Sequence, residues 1–176
     1  MEGSVNLNKW NSMPNNHNVF ISHYSGDVQR LRDLKERLQS VGCIARNSSA
    51  EEDRDGGLVR HGHKVSDATI ARYLRAGIKW AKTLIVIIGE HTHERRWVNY
   101  EIRNAYLQGK QIIGIYDWGC KESVELPEAY KRYGGSPIGW NSLDKLSDML
   151  NGRVPIPEKP DGTPAEPIHN IVHIPC

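Results

Sequence analysis

The sequence predicts a doubly wound α/β domain: a mostly parallel five-stranded sheet with helices on both faces. Two observations carry that prediction. Between residues 18 and 150, apolar runs of strand length alternate with amphipathic segments of helical period, the pattern that successive βαβ crossovers impose. Two of the runs, Thr83-Leu-Ile-Val-Ile-Ile88 and Gln111-Ile-Ile-Gly-Ile-Tyr116, show no polar alternation. A strand without it is buried on both faces, as in a parallel sheet covered by helices above and below.

The elements follow in order. Asn18-Val-Phe-Ile-Ser22 is the first strand, ended by the turn-forming Ser25-Gly26-Asp27. Val28, Leu31, Leu34, Leu38 and Val41 then recur at steps of three and four, with Gly42 just beyond, which is an amphipathic helix with a glycine stop. Residues 43–47 form the second strand. The charged stretch 48–65 is expected as a loop, with turns at Asp55-Gly56-Gly57. Ser66 or Asp67 caps a helix whose Ile70, Leu74 and Ile78 share one face. The third strand, 83–88, leads through the polar turn 90–96 into a helix marked by Val98, Ile102 and Ala105 and ended by Gly109. The fourth strand is 111–116. Residues 117–137 are irregular, with a short helix around Glu128. Residues 137–140 supply an edge strand, and Asn141 or Ser142 caps a last helix carrying Leu143, Leu146 and Leu150.

Outside this body lie an Asn-rich N-terminal arm, 1–17, and a tail, 151–176, whose prolines are too dense for helix or central strand. Ile168, Ile171, Val172 and Ile174 suit the tail to packing along the domain or across a subunit contact. Neither arm is expected to be long enough for a second domain.

The charges nearly balance, 23 basic against 21 acidic residues for a net of +2, with no basic run or stripe. That argues against nucleic-acid and anionic-membrane partners. No apolar stretch approaches the roughly 18 residues of a spanning helix, and no signal pattern opens the chain, so a cytoplasmic protein is expected. Cys43, Cys120 and Cys176 form no CxxC or metal-ligand spacing. They fit a reducing compartment, with Cys43 as a small buried hydrophobe.

In an open parallel sheet, ligands lie beyond the carboxyl ends of the strands. Residues 22–27, 47–49, 89–97 and 117–120 are therefore the places to look. A phosphoacceptor site would need an acidic pair ending the first strand and an aspartate ending a central one, to hold a divalent cation. Here the strands end Ser22-His23 and Gly89-Glu90. A flavin or dinucleotide site would need a glycine-rich or hydroxyl-rich turn feeding a helix. His23-Tyr24-Ser25-Gly26-Asp27 offers one glycine and then a carboxylate, and the GxGxxG and Walker patterns are absent.

A single catalytic carboxylate remains, and Glu101 is the candidate. It stands four residues after Trp97 and so shares a helix face with it. A carboxylate beside an indole in a partly dry cleft can stabilise positive charge developing on a sugar carbon. The competing expectation is an ordinary solvated helix glutamate.

Three segments carry a resemblance. Asn18-Val-Phe-Ile-Ser-His-Tyr-Ser25, the strand 84–89, and above all Trp97-Val-Asn-Tyr-Glu-Ile-Arg-Asn-Ala105 followed by Gly109-Lys-Gln-Ile-Ile-Gly114 resemble a Toll/interleukin-1 receptor (TIR) domain. The resemblance is strongest to the bacterial TIR-like family that includes ThsB of the Thoeris anti-phage system. It spans residues 18–150, and the W-x-x-x-E segment is its most specific part. It implies a flavodoxin-like fold and, in catalytic members, cleavage of the nicotinamide–ribose bond of NAD by the glutamate matching Glu101. NAD is then a substrate, and no cofactor is expected. Nicotinamide leaves as a neutral group, so one carboxylate suffices and no general acid is needed. Water would give ADP-ribose, an internal hydroxyl a cyclic isomer, and an added nucleophile a conjugate. In Thoeris-type members the product is a signal that switches on a separate effector. A phage trigger and a homo-oligomer are compatible with the resemblance.

Carried over by position, Ser22, His23 and Tyr24 border the adenosine and phosphate side, Asn47 and Ser48 the ribose hydroxyls, and Trp97 the nicotinamide or ribose pocket. The loop 49–65 occupies the place of the family's mobile assembly loop, as a lid or a subunit contact. A second function remains open: a non-catalytic TIR adaptor that recruits partners through its loops and tail.

His61-Gly-His63 and His91-Thr-His93 have a spacing that puts both imidazoles on one side of a strand. Neither pair has a cysteine or motif carboxylate to complete a set, and both fall in expected loops, so no metal is assigned. His91 or His93 stands at the mouth of the expected site as a substrate contact. Trp80, Trp118 and Trp140 are expected in core or sheet-edge packing, since no basic stripe accompanies them.

Overall fold

The computed structural model describes residues 17–24, 28–47, 51–52, 58–60, 63–120 and 124–169. The elements are β1 (His17–Ser22), α1 (Val28–Ser40), β2 (Cys43–Asn47), β3 (Glu51–Glu52), β4 (Leu58–Arg60), β5 (His63–Lys64), α2 (Asp67–Trp80), β6 (Thr83–Ile88), α3 (Arg96–Leu107), β7 (Gln111–Tyr116), α4 (Glu128–Tyr133) and α5 (Leu146–Leu150). Residues 1–16, the turns at Ser25-Gly26-Asp27 and Asp55-Gly56-Gly57, His61, Ile171, Val172, Ile174 and Cys176 lie outside the described residues.

The main sheet runs β2-β1-β6-β7, every pair parallel. The lack of alternation in β6 and β7 has the expected cause. Leu84, Val86, Ile88, Ile112 and Tyr116, with Phe20 of β1, pack against α2, α3 and α4. Ile85, Ile87, Ile113 and Ile115, with Val19 and Ile21, pack against α1 and α5. Each fully buried side chain of this kind contributes about 1.5–3 kcal/mol of hydrophobic transfer energy, and the two layers together fix the register. Cys43 joins the α1 layer, where burial pushes its thiol pKa up.

Several expectations need correction. The fifth strand is not a strand. At the outer edge of β7 only Ile138 pairs, through Tyr116 N–H to Ile138 O at 2.8 Å and Ile138 N–H to Gly114 O at 3.1 Å. Pro137 has no N–H to extend the ladder. The neighbouring backbone groups are instead taken by Glu158, whose N–H donates to Pro137 O (2.9 Å) and whose Oε2 accepts from Gly139 N–H (2.8 Å). Lys145 completes this contact as an ion pair with Glu158, so the described part of the tail packs along the domain.

The stretch 48–65 contains a small antiparallel sheet, β3-β4-β5, made of strands too short and too charged to stand out by pattern. The last helix begins with a 3-10 segment, Trp140–Lys145, before α5, and no side chain caps either. The Ser142 N–H bonds backward to Gly139 O at 3.0 Å, so neither Asn141 nor Ser142 serves as a cap. By contrast Ser66 does cap α2, accepting from Thr69 N–H at 3.3 Å. Trp80 and Trp140 are half-buried against the two cores, whereas Trp118 is 53% exposed. It sits in the tight turn after β7, where Asp117 Oδ1 accepts its N–H at 2.7 Å and Gly119 takes φ +87°. Among the described residues, no helix is long and apolar enough to cross a membrane.

β1 begins at His17, one residue earlier than expected, and this adds a buried polar chain at the amino ends of the strands. Thr83 Oγ1 donates to Gln111 Oε1 at 2.9 Å, so His17 Nε2 is the donor in its 2.8 Å bond to Thr83. Gln111 Nε2 in turn donates to Met149 O. Burial, and secondarily Lys82, hold the His17 pKa below its ordinary value of 6.5. The unfolded chain therefore binds a proton more readily than the native one, and stability falls as pH drops below about 6.5. His17→Gln keeps a donor for Thr83 but cannot titrate. Urea midpoints at pH 7.5 and 5.5 should show a smaller acid-induced loss in this variant than in the wild type.

Candidate active site

Glu101 lies in the middle of α3, and the helix turns it inward with Trp97, Val98, Ile102 and Ala105. Only 3% of Glu101 is exposed, which excludes the solvated-glutamate alternative. Its Oε2 accepts a hydrogen bond from Ser22 Oγ, and Ser22, the last residue of β1, is fully buried. Ser22 shares the parity of Phe20, whose side chain faces α2 and α3, so β1 delivers the hydroxyl to the face that α3 covers. The carboxylate thus sits at the carboxyl end of β1, between β1 and β6, where chain connectivity diverges to the two sides of the sheet.

Trp97 is 8% exposed, and its indole Nε1–H has no hydrogen-bond partner among the described residues. Tyr100 meets it edge-on at 5.3 Å, and the Arg96 guanidinium lies 4.7 Å from its ring. A buried donor left unbonded costs about 1–3 kcal/mol, which a ligand acceptor would recover. Serine, carboxyl group and indole therefore form one buried cluster with an open donor on the indole.

The turn between β6 and α3 is held by buried Thr92, whose Oγ1 accepts from Gly89 N–H at 2.8 Å and donates to Ile87 O at 3.3 Å. Asn99 holds the other side. Its Nδ2 donates to Arg95 O (3.1 Å) and His93 O (3.3 Å), and its Oδ1 accepts the Ala129 N–H (2.9 Å) at the start of α4. Asn99→Ala should destabilise the protein by about 1–3 kcal/mol, read as a lowered urea midpoint. The Ala129 amide should also exchange faster with solvent, which a change confined to α3 would not produce.

The remaining expected site residues divide. Tyr24, just past β1, is partly exposed and lies under the Arg95 guanidinium at 3.9 Å; the half-buried His23 precedes it. His91 is on the rim, its exposed ring 3.9 Å from Glu94. His93 stands 3.7 Å from both Glu94 and Glu125. Among the described residues, no three His, Cys, Asp or Glu side chains form a metal-ligand set. Asn47 is not brought to the cluster. It pairs in register with Ile21, whose side chain faces α1 and α5, and it is bound by Lys35 of α1. Ser48 lies outside the described residues. Sequence reasoning missed Arg95 and Asn99. Both lie in or beside the loop that topology singles out, but nothing in Arg95-Arg96 tells which arginine turns toward β1.

A parallel α/β domain with one buried, serine-held carboxylate at the strand ends is the class that these features define. The model of the family described as Thoeris protein ThsB, TIR-like domain, matches residues 20–122, and the chain belongs to that family. It is 37% identical over 98 residues to a protein of Bacillus cereus (strain MSX-D12) named "Putative cyclic ADP-D-ribose synthase ThsB1". That alignment covers 56% of this chain and 50% of the relative, so the chain spans about half the length of the curated protein it matches. Among solved structures it is similar to the TIR domains of the activated Roq1 resistosome directly recognizing the pathogen effector XopQ, with a TM-score of 0.43 and 13% identity over 77% of this chain and 78% of that one.

Proposed function

We propose that the chain cleaves the nicotinamide–ribose bond of NAD and converts the ADP-ribosyl group into a cyclic or conjugated signal nucleotide that activates a separate effector in anti-phage defence. The observation that carries this reading is the burial of Glu101 against Ser22, beside the unbonded indole N–H of Trp97. When the bond breaks, its electron pair leaves with the pyridine nitrogen, so nicotinamide departs neutral and the positive charge moves to the ribosyl carbon. A fixed carboxylate in a water-poor site stabilises that charge without reorganising. Ser22 holds the carboxylate by donating to one of its oxygens. An attacking hydroxyl then forms the new bond to the same carbon and gives up its proton, which Glu101 can accept. The name of the Bacillus cereus relative supports internal capture, hence cyclisation.

The test is a product assay. Purified chain incubated with NAD, alone and with lysate from phage-infected cells, should release nicotinamide and an ADP-ribose isomer resolved by mass spectrometry. No nicotinamide under either condition would overturn the proposal and leave the adaptor function.

A further inference from the structure

We propose that Arg95, stacked on Tyr24, is the residue that binds the pyrophosphate of the dinucleotide substrate; this rests on the NAD function proposed above. The guanidinium carbon lies 3.9 Å from the centre of the Tyr24 ring, which brings a cation from the β6–α3 turn to the exit of β1. Tyr24 is two residues beyond Ser22, about 7 Å along extended chain, and Ser22 is bonded to Glu101. In a dinucleotide, the pyrophosphate is separated from the carbon that Glu101 would face by the ribose ring and one methylene group. A cation at the exit of β1 therefore stands at the same strand end as the carboxylate, where the pyrophosphate would extend.

The position is built rather than incidental. The Arg95 N–H donates to Thr92 O at 3.2 Å and its carbonyl accepts from Asn99 Nδ2 at 3.1 Å, so the backbone that carries the side chain is fixed on both sides. Its neighbour Arg96 lies against the Trp97 ring and is paired with Asp67 at the start of α2 at 2.9 Å. Arg30 belongs to the α1 side of the sheet, 3.7 Å from Asp117. α3 begins at the residue after Arg95 without a side-chain cap, and its dipole adds partial positive charge at the same end. A planar guanidinium matches phosphate oxygens in pairs, and an aromatic face beneath it orients its plane.

The contact is distant from the breaking bond and equally present before and at the transition state, so it serves affinity rather than the chemical step. Calorimetric titration of the full chain carrying Glu101→Gln, which slows turnover, tests this with NAD, ADP-ribose and nicotinamide riboside as probes. Adding Arg95→Ala should weaken NAD and ADP-ribose about ten- to a hundred-fold and leave nicotinamide riboside, which lacks the pyrophosphate, unchanged. Arg95→Lys should recover part of the loss, Tyr24→Phe should keep NAD affinity, and Tyr24→Ala should lower it. Arg132→Ala, which removes an equal charge at the exposed pair with Glu128, should have no effect. Undiminished NAD binding in Arg95→Ala, or an equal loss for nicotinamide riboside, would overturn the assignment of Arg95 while the NAD function stands. If neither NAD nor ADP-ribose binds the chain with Arg95 intact, the NAD function falls and this assignment with it.

Discussion

Glu101→Gln should reduce nicotinamide release by about 10²–10³-fold while the protein remains folded. The two side chains have nearly the same shape, and the glutamine carbonyl can still accept from Ser22 Oγ, so the packing of α3 on β1 survives. What is lost is the full negative charge. In a site where the carboxylate is 3% exposed, that charge acts through a low effective dielectric and is worth several kcal/mol to a cationic ribosyl group. The loss should fall on kcat, with KM little changed, because the interaction strengthens only as charge develops. Glu101→Asp tests position rather than charge: the side chain is one methylene shorter, loses its reach to Ser22, and should be intermediate. Ser22→Ala should cost about ten-fold, the effect of one charge-assisted hydrogen bond. A Gln variant that releases nicotinamide at the wild-type rate would remove Glu101 from the mechanism.

Legibility in the sequence followed the range of the interactions. β6 and β7 could be read completely, because burial on both faces leaves a continuous apolar run whatever the partners are. Trp97 and Glu101 could be placed on one face because helical spacing is local. The burial of Glu101 could not, since it depends on Ser22, 79 positions away, and a helix glutamate read alone is a surface residue. Asn47 shows the same limit. Its strand exit is at the right end of the sheet, but only the register with Ile21 reveals that its side chain faces α1. The fifth strand fails for a related reason: Ile138 has strand chemistry, yet Glu158 occupies the backbone groups beside it. Trp118 is exposed and not packed because a short turn governed by Asp117 and Gly119 outweighs the general preference of indoles for burial.

Gly114→Ala should be the most damaging of the conservative core changes, lowering stability by about 3 kcal/mol. Gly114 lies in the middle of β7, directly under the ring of Tyr130. A methyl group there would stand 2.3 Å from the Tyr130 hydroxyl, 2.6 Å from Cζ and 2.8 Å from Ile88 Cδ1. The ring has nowhere to go. Tyr130 is fully buried, its hydroxyl donates to Gly135 O at 2.8 Å, and a Cβ on Gly134 would meet the same ring at 2.6 Å. Two glycines therefore enclose one tyrosine, and α4 is seated on β7 through that ring. The backbone of Gly114 is ordinary strand, so alanine itself introduces no conformational strain and slightly stiffens the unfolded chain, a gain of under about 1 kcal/mol that does not offset the overlap. Gly109→Ala provides the contrast. Its φ of +64° is strained for alanine, but its Cβ meets open space, and the expected cost is about 1–2 kcal/mol. For a chain of this length, 3 kcal/mol corresponds to a fall in Tm of about 6–12 °C. In a Tyr130→Phe background, which removes the nearest atom but keeps the ring, Gly114→Ala should cost measurably less, a coupling that a double-mutant cycle in urea can read. Equal Tm values for Gly114→Ala and Gly109→Ala, with no coupling to Tyr130, would mean that α4 does not sit on β7 through this contact.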